Sequence, residues 1–322
     1  MLKVIELIKN NSNWRNILTN APYCLKIIDE GEFTLLKFAY NGSDFSNEIV
    51  RECRGLIIDR GLNPVCVPFF KFFNYGEPFA DEIDWDSAVV EEKMDGMLIK
   101  VWNYKGSWMI STKDTILAEK AILNSEKRAN FKNYNELFMA ALEKINFNLN
   151  SLSPHHTYVF ELVSPHNRLV VPYDTIDVFH IGARENASGQ ELEIDIGIKK
   201  PKTYKCNSIR DINEMTSQLN SCEEGYVVKD KNYKRVKVKN PAYIATKYLV
   251  GEILSYNKIV EIIKTNYVME LLVYFPEHKN LFDKIFLMAN RITRRQNKSS
   301  EWFWSMPTEK IMHYIRNLSH AG

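Results

Sequence analysis

The chain has 322 residues, 45% hydrophobic and 25% charged, a composition that supplies a proper buried core and argues against a disordered or fibrous chain. Its 42 basic and 40 acidic residues leave a net charge of +2, so any attraction to a polyanion has to come from local clustering rather than from global charge. Five scattered cysteines without C-x-x-C spacing argue against a disulfide framework and a structural zinc site and point to a reducing cytosol, and no apolar run is long enough to span a bilayer.

In chain order, a short helix is predicted near Leu2 to Leu7, then strands at Cys24 to Asp29, Thr34 to Phe38 and Leu56 to Asp59. Strands continue at Val89 to Glu92, Met97 to Asn103 and Trp108 to Thr112, read as a meander with its last turn at Tyr104-Lys105-Gly106-Ser107. Thr115 to Lys127 and Tyr134 to Ile145 carry helical periodicity, the second with Asn133 as its cap. Strand signals return at Thr157 to Val163, Arg168 to Val171, Ile176 to Ala183 and Leu192 to Ile194. A helix at Ile209 to Leu219 follows, and Gly225 to Lys229 and Arg235 to Val238 close a mixed α+β pattern with antiparallel pairing. Beyond a boundary near 240 the reading is all-helical: Ala242 to Leu254, Asn257 to Tyr274, Glu277 to Arg294 and Thr308 to Leu318, with Pro241, Pro276 and Pro307 near helix starts. Phe282, Phe286, Met288, Ala289 and Ile292 form the expected core face of the third, and Arg291, Arg294, Arg295 and Lys298 its basic far end, a solvated face or an RNA contact.

The chemistry gathers around Lys93-Met94-Asp95-Gly96, a lysine on the edge between two strands. A free lysine amine, with a pKa of about 10.4, is neutral in only about one molecule in 2,500 at pH 7, so a nucleophilic role needs positive charge or desolvation nearby. Lys237 and Lys239, two apart on a strand, share a face and can converge on one site. Glu161 interrupts the apolar run Tyr158 to Val163, and Glu224 precedes Gly225-Tyr226-Val227-Val228; a carboxylate in such a run calls for a metal or a lysine. No G-x-S-x-G, H-E-x-x-H or G-x-x-x-x-G-K-[ST] is present. His155, His156 and His166 read as structural.

These residues resemble the covalent nucleotidyltransferases: Lys93-Met94-Asp95-Gly96 is similar to motif I, Phe160-Glu161-Leu162-Val163 to motif III, Glu224-Gly225-Tyr226-Val227 to motif IV and Val236-Lys237-Val238-Lys239 to motif V. With Glu52-Cys53-Arg54-Gly55, Lys71-Phe72-Phe73-Asn74, Ser111-Thr112-Lys113, Ser164-Pro165-His166-Asn167-Arg168 and Ala183 to Gly189, the match over about residues 30 to 240 resembles the ATP-dependent RNA ligase 1 family of T-even phages. The resemblance implies an antiparallel-sheet α+β nucleotidyltransferase domain (ATP-grasp-like ligase) over 1–240 and a small all-helical C-terminal domain over 241–322 as RNA-specificity module, in place of an OB-fold. It implies ATP and Mg2+ (or Mn2+) as cofactors, a lysyl-AMP on Lys93 assisted by Asp95 and Gly96, and triphosphate binding by Arg54, Lys71 and Lys113. Lys237 and Lys239 would hold the α-phosphate, and Glu161 and Glu224 would serve metal or ribose. The expected partner is RNA with 5′-phosphate and 3′-hydroxyl ends, met by a cytoplasmic monomer without membrane contact. A GTP-dependent capping-type guanylyltransferase and a non-catalytic RNA-binding module with a degenerate transferase fold are the alternatives.

Overall fold

The computed structural model describes the chain apart from residues 41, 124–130, 249–255, 266–267, 275 and 320–322. It divides into two units, Met1–Tyr75 with Phe79–Asn240, and Gly76–Pro78 with Pro241–Gly322.

The first unit holds helices α1 (Lys3–Asn10), α2 (Trp14–Thr19), α3 (Glu48–Glu52), α4 (Tyr134–Lys144) and α5 (Ile209–Ser217). Its strands are β1 (Leu25–Glu30), β2 (Phe33–Phe38), β3 (Arg54–Asp59), β4 (Pro64–Cys66), β5 (Phe73–Asn74), β6 (Val89–Glu92), β7 (Met97–Tyr104) and β8 (Ser107–Thr112). Then come β9 (His156–Val163), β10 (Asp177–Glu185), β11 (Glu191–Leu192), β12 (Thr203–Tyr204), β13 (Gly225–Lys229) and β14 (Arg235–Lys239). Three sheets result, in the orders β1-β2-β3-β4, β11-β10-β9-β7-β8 and β12-β6-β13-β14-β5. The named pairings are antiparallel except that of β14 with β5.

Each sheet packs an apolar face under helices, and the first buries Leu35 and Ile57 of its other face with Trp102 as well. Val4, Ile5 and Ile8 of α1 pack on Leu36, Leu56 and Ile58 of the first sheet. Phe138 and Leu142 of α4 pack on Phe160 and Val178 of the second, and Ile212 of α5 packs with Val228 and Val236 of the third. Full burial of such side chains stabilises by about 1.5–3 kcal/mol each. Asn133 caps α4 as its sequence indicates, its Oδ1 accepting from the Glu136 amide at 2.9 Å. The second and third sheets are joined by a buried ionic group in which Glu191 accepts from Arg184 and, in a fork, from Arg235 at the start of β14. The two guanidinium groups lie over Phe70 and Phe69.

Four expectations are corrected. Val89 to Thr112 is not one meander: β6 pairs with β12 and β13, while β7 pairs with β8 and β9, so the chain changes sheet between Glu92 and Met97. Thr115 to Lys127 has only a 3-10 turn at Ala118–Lys120, with residues 124–127 outside the described ones. Its apolar residues serve two cores, Ile116 that of Trp102, and Ala118 and Leu123 that of Phe138, which one helix face could not do. Arg168 to Val171 forms no strand, because the amides of Val170 and Val171 donate to Asp95 instead of to a ladder. Leu192 to Ile194 shortens to β11.

The second unit is built from α6 (Pro241–Tyr248), α7 (Tyr256–Thr265), α8 (Val268–Tyr274), α9 (Lys279–Gln296), α10 (Ser300–Trp304) and α11 (Thr308–Ser319). The expected helix end at 249–254 lies outside the described residues. Phe282, Ile285, Ala289 and Ile292 face the core of α9, whereas Phe286, expected there, is 36% exposed. The step from Phe282 to Ile285 and Ala289 keeps the 3- and 4-residue spacing that Phe286 would also have satisfied. Asn297 ends α9 in the left-handed conformation, and Arg291, Arg294, Arg295 and Lys298 are exposed. No helix among the described residues is long and apolar enough to cross a membrane.

Candidate active site

Lys93 stands where the chain leaves the third sheet for the second. Its amide donates to the Gly225 carbonyl at 2.9 Å, extending the β6–β13 ladder by one bond before the turn. Its amine donates to Glu224 Oε2 at 2.8 Å, and the other oxygen of that buried carboxylate meets Lys239 Nζ at 3.0 Å. One acid thus carries two ammonium groups, one from the crossover and one from β14. Lys93 keeps 21% of its side chain exposed, whereas Lys239 keeps 6%.

Gly96 closes the crossover. Its amide donates to Glu161 Oε1 at 3.1 Å, and a Cβ on it would overlap the Leu162 carbonyl oxygen of β9, so only glycine lets β7 approach there. Asp95 turns the other way: its buried Oδ2 accepts the amides of Val170 and Val171 at 2.9 Å each, and its own amide donates to the Tyr173 hydroxyl at 3.1 Å. Burial raises the Tyr173 phenol, with the charges of Asp95, Glu161 and Glu224 adding to it, which puts this tyrosine in the electrostatic neighbourhood of both acids.

Glu161 is the carboxyl of the site that burial disturbs. Burial pushes its carboxyl up to about 7; Lys93 opposes this, Glu224 reinforces it, and the Gly96 amide and Arg54 oppose it. The folded protein therefore keeps the Glu161 proton up to about pH 7, the unfolded chain only to about 4.5, and Glu161 costs stability as pH rises between these values. Glu161→Gln, which retains an acceptor for Gly96, is expected to be more stable than the parent by about 2 kcal/mol at alkaline pH, a rise of roughly 5 °C in thermal midpoint. That gain should vanish below about pH 5. Midpoints measured across the series check it; equal midpoints at alkaline pH contradict it.

Arg54 opens β3. Its Nη1 is buried without a hydrogen-bond partner among the described residues, and its guanidinium carbon lies 5.4 Å from the centre of the Phe72 ring, over which Lys237 Nζ stands at 5.2 Å. Burial lowers the Arg54 pKa, countered by Tyr40 and Glu161. A buried cationic donor with no acceptor fits an anionic ligand. Gly55 next to it has φ +91°, and a Cβ there would overlap the Lys113 carbonyl, so the backbones of Gly55 and Lys113 meet at this point. The Lys113 amine pairs with Asp114, which it shares with Lys37. Lys71 is described in other contacts, with Nζ 4.5 Å from the Phe73 ring and Arg51 over the same ring at 5.6 Å.

Lys93, Glu161, Glu224, Gly96 and Lys239 are therefore brought together, Arg54 and Lys237 share the Phe72 ring, Lys71 Nζ reaches the Phe72 carbonyl at 3.4 Å, and Lys113 pairs with Asp114. Among the described residues no group of three or more His, Cys, Asp or Glu could hold a metal. Two carboxylates suit a magnesium ion that keeps waters and takes phosphate oxygens, with Glu161 the less encumbered donor. Sequence reasoning missed Lys100, fully buried with its amine 2.5 Å from the Gly55 carbonyl. The signal was present, since Lys100 interrupts an apolar strand just as Glu161 does.

A family model described as RNA ligase matches residues 52–243. The "Putative bifunctional polynucleotide kinase/RNA ligase" of Autographa californica nuclear polyhedrosis virus is 26% identical over 350 residues, covering 98% of this chain and 50% of that protein. The RNA ligase of Rhodothermus phage RM378 is 26% identical over 285 residues, covering 67% of this chain and 64% of that one. The chain thus spans about half the length of the first relative and under two thirds of the second. Among solved structures, an archaeal ATP-dependent RNA ligase is 13% identical with a TM-score of 0.49, over 98% of this chain and 78% of that chain.

Proposed function

The chain belongs to the RNA ligase family, and from that premise we propose that it seals RNA ends by three displacements, the first two of them at Lys93. The observation that carries this reading is one buried carboxylate, Glu224, holding both Lys93 and Lys239, with β14 also sending Lys237 to the Phe72 ring that it shares with Arg54, whose buried Nη1 has no partner among the described residues. In the first displacement the neutral Lys93 amine, having given up a proton, attacks the α-phosphorus of ATP; a P–N bond forms and the bond to pyrophosphate breaks. In the second, an oxygen of the RNA 5′-phosphate attacks the same phosphorus, the P–N bond breaks and the lysine amine returns. In the third, an RNA 3′-hydroxyl loses its proton and attacks the 5′-phosphorus, making the phosphodiester and releasing AMP.

Each displacement piles negative charge on phosphate oxygens, and preorganised cations stabilise it. Lys237 and Lys239 on β14 are the α-phosphate partners, and Arg54, with Lys71 and Lys113, takes the β- and γ-phosphates. Glu224 keeps Lys93 at the place of attack. Glu161 and Glu224 would hold Mg2+ or Mn2+, which supplies further charge neutralisation at the phosphates. Asp95 acts by fixing the loop that borders the lysine. Residues 1–240 form the adenylyltransferase domain, and the helices of 241–322, with Arg291, Arg294, Arg295 and Lys298 exposed, form an RNA-specificity module. The protein works as a monomer in a host cytoplasm, on RNA with 5′-phosphate and 3′-hydroxyl ends.

Side-by-side labelling with ATP and GTP carrying a radioactive α-phosphate tests the reading. Adduct from ATP, discharged by a 5′-phosphorylated oligoribonucleotide into a ligated product, is the expected result. Preferential labelling by GTP would select a capping-type guanylyltransferase, and salt-sensitive RNA binding with no adduct a non-catalytic module.

A further inference from the structure

The reaction above leaves one element without a task, the segment between β9 and β10. Ser164 begins it, fully buried, with Oγ accepting the amides of His166 at 3.0 Å and Asn167 at 3.3 Å and donating to Asn167 Oδ1 at 2.7 Å. The buried Asn167 amide returns to the Leu162 carbonyl at 3.0 Å. Val170, Val171 and Tyr173 then tie the far side to Asp95. Between these two sets of anchors stand Arg168, exposed, with Nε donating to the Val170 carbonyl at 3.1 Å, and Leu169, 58% exposed.

The arrangement is unusual in its economy. Connecting loops are commonly mobile and carry polar tips, yet here a surface loop is held by hydrogen bonds at both ends, buried at Ser164 and Asn167 and part-buried at Asp95, and presents a guanidinium beside an exposed leucine. Neither set of anchors needs Arg168 or Leu169 to form. The far anchor is Asp95, two residues from the nucleophile, and Tyr173 feels the charges of Glu161 and Glu224. The tip is thus fixed relative to Lys93 through motif I itself. A planar guanidinium on a rigid support matches a phosphate, and an exposed apolar side chain next to it matches the face of a base or sugar. The nucleotide phosphates already have the Arg54 and Lys237 pair around Phe72.

We infer that Arg168 and Leu169 form the docking point for the 5′-phosphorylated end of the RNA, the guanidinium on phosphate and the leucine against the terminal nucleoside. The inference rests on the ligase reading and adds to it the residues that present the AMP acceptor to the adenylylated lysine.

Two measurements on the full chain test it, with Arg168→Ala, Arg168→Lys and Leu169→Ser beside the parent. AMP incorporation from ATP should stay within about twofold of the parent, while the KM for a 5′-phosphorylated oligoribonucleotide in AMP transfer should rise about tenfold in Arg168→Ala, in keeping with one charge-assisted contact. Arg168→Lys should recover part of that loss, and Leu169→Ser should raise KM a few-fold. Fluorescence anisotropy of the same oligonucleotide on unmodified protein, over a salt series, supplies a reading independent of chemistry. Its log–log salt slope should flatten by about 0.7 in Arg168→Ala. An unchanged Kd and slope overturn the inference, as does a parallel fall in AMP incorporation, which would make the loop a support of motif I only. A parent protein that takes up no AMP fails the ligase reading instead, and the anisotropy comparison still decides the docking point.

Discussion

Lys93→Ala is expected to reduce covalent AMP incorporation by roughly 10⁴-fold or more, to background, while leaving the thermal midpoint within a few degrees of the parent. The chemical half follows from removing the only group proposed to bond phosphorus. The structural half follows from the geometry: the Lys93 amide, which continues the β6–β13 ladder, is retained, and Glu224 keeps Lys239 at 3.0 Å. An adduct that persists in this variant would sink the assignment of the nucleophile, whatever else the protein binds.

Glu224→Ala should be harmful in both respects. The carboxylate is 4% exposed and is shared by Lys93 and Lys239, so its removal takes one anion from two ammonium groups, one of them buried. Breaking a buried pair from one side costs about 3–5 kcal/mol, which for a unit of this size lowers the thermal midpoint by roughly 10 °C. AMP incorporation should fall as well, by about 10²-fold, because Lys93 loses the group that fixes it. Glu224→Gln, which keeps the shape without the charge, should lie between. Calorimetry and label uptake on the same preparations check both effects, and a Glu224→Ala protein with parental midpoint and uptake contradicts the shared-acid arrangement.

What the sequence could disclose depended on the range of the interaction that fixes each feature. Val89–Glu92 and Gly225–Lys229 are strands with the expected bounds, since short apolar runs between polar punctuation are set locally. The proximity of Glu224 to Lys93, 131 residues apart, was open to the observation that a buried acid needs a cation, though the choice of cation was not. The sheet change at Lys93 was illegible, because β6 and β7 look like neighbours of one hairpin until β13 claims the edge of β6. Two-residue strands such as Phe73–Asn74 show no period at all, and the parallel match of Asn74 with Lys237 exists only once β14 is in place. Arg168 to Val171 departs from its strand signal for a related reason: its β-branched residues favour a strand, but Asp95 supplies the acceptor that a neighbouring strand would have supplied. Lys100 was legible by the reasoning applied to Glu161.

The two acids also set the charge of the site. Glu161, held protonated up to about pH 7, and Glu224, tied to two lysines, keep negative charge near the lysine modest until phosphates or metal arrive. Such a site favours an incoming polyanion over bare acid–acid repulsion.

The decisive measurement is the position of the label. Protein incubated with α-phosphate-labelled ATP and magnesium, digested and analysed by mass spectrometry, should carry one AMP on the peptide containing Lys93, in an acid-labile P–N linkage that pyrophosphate or 5′-phosphorylated RNA discharges. AMP on another residue, or no covalent nucleotide under any of these conditions, would contradict the account.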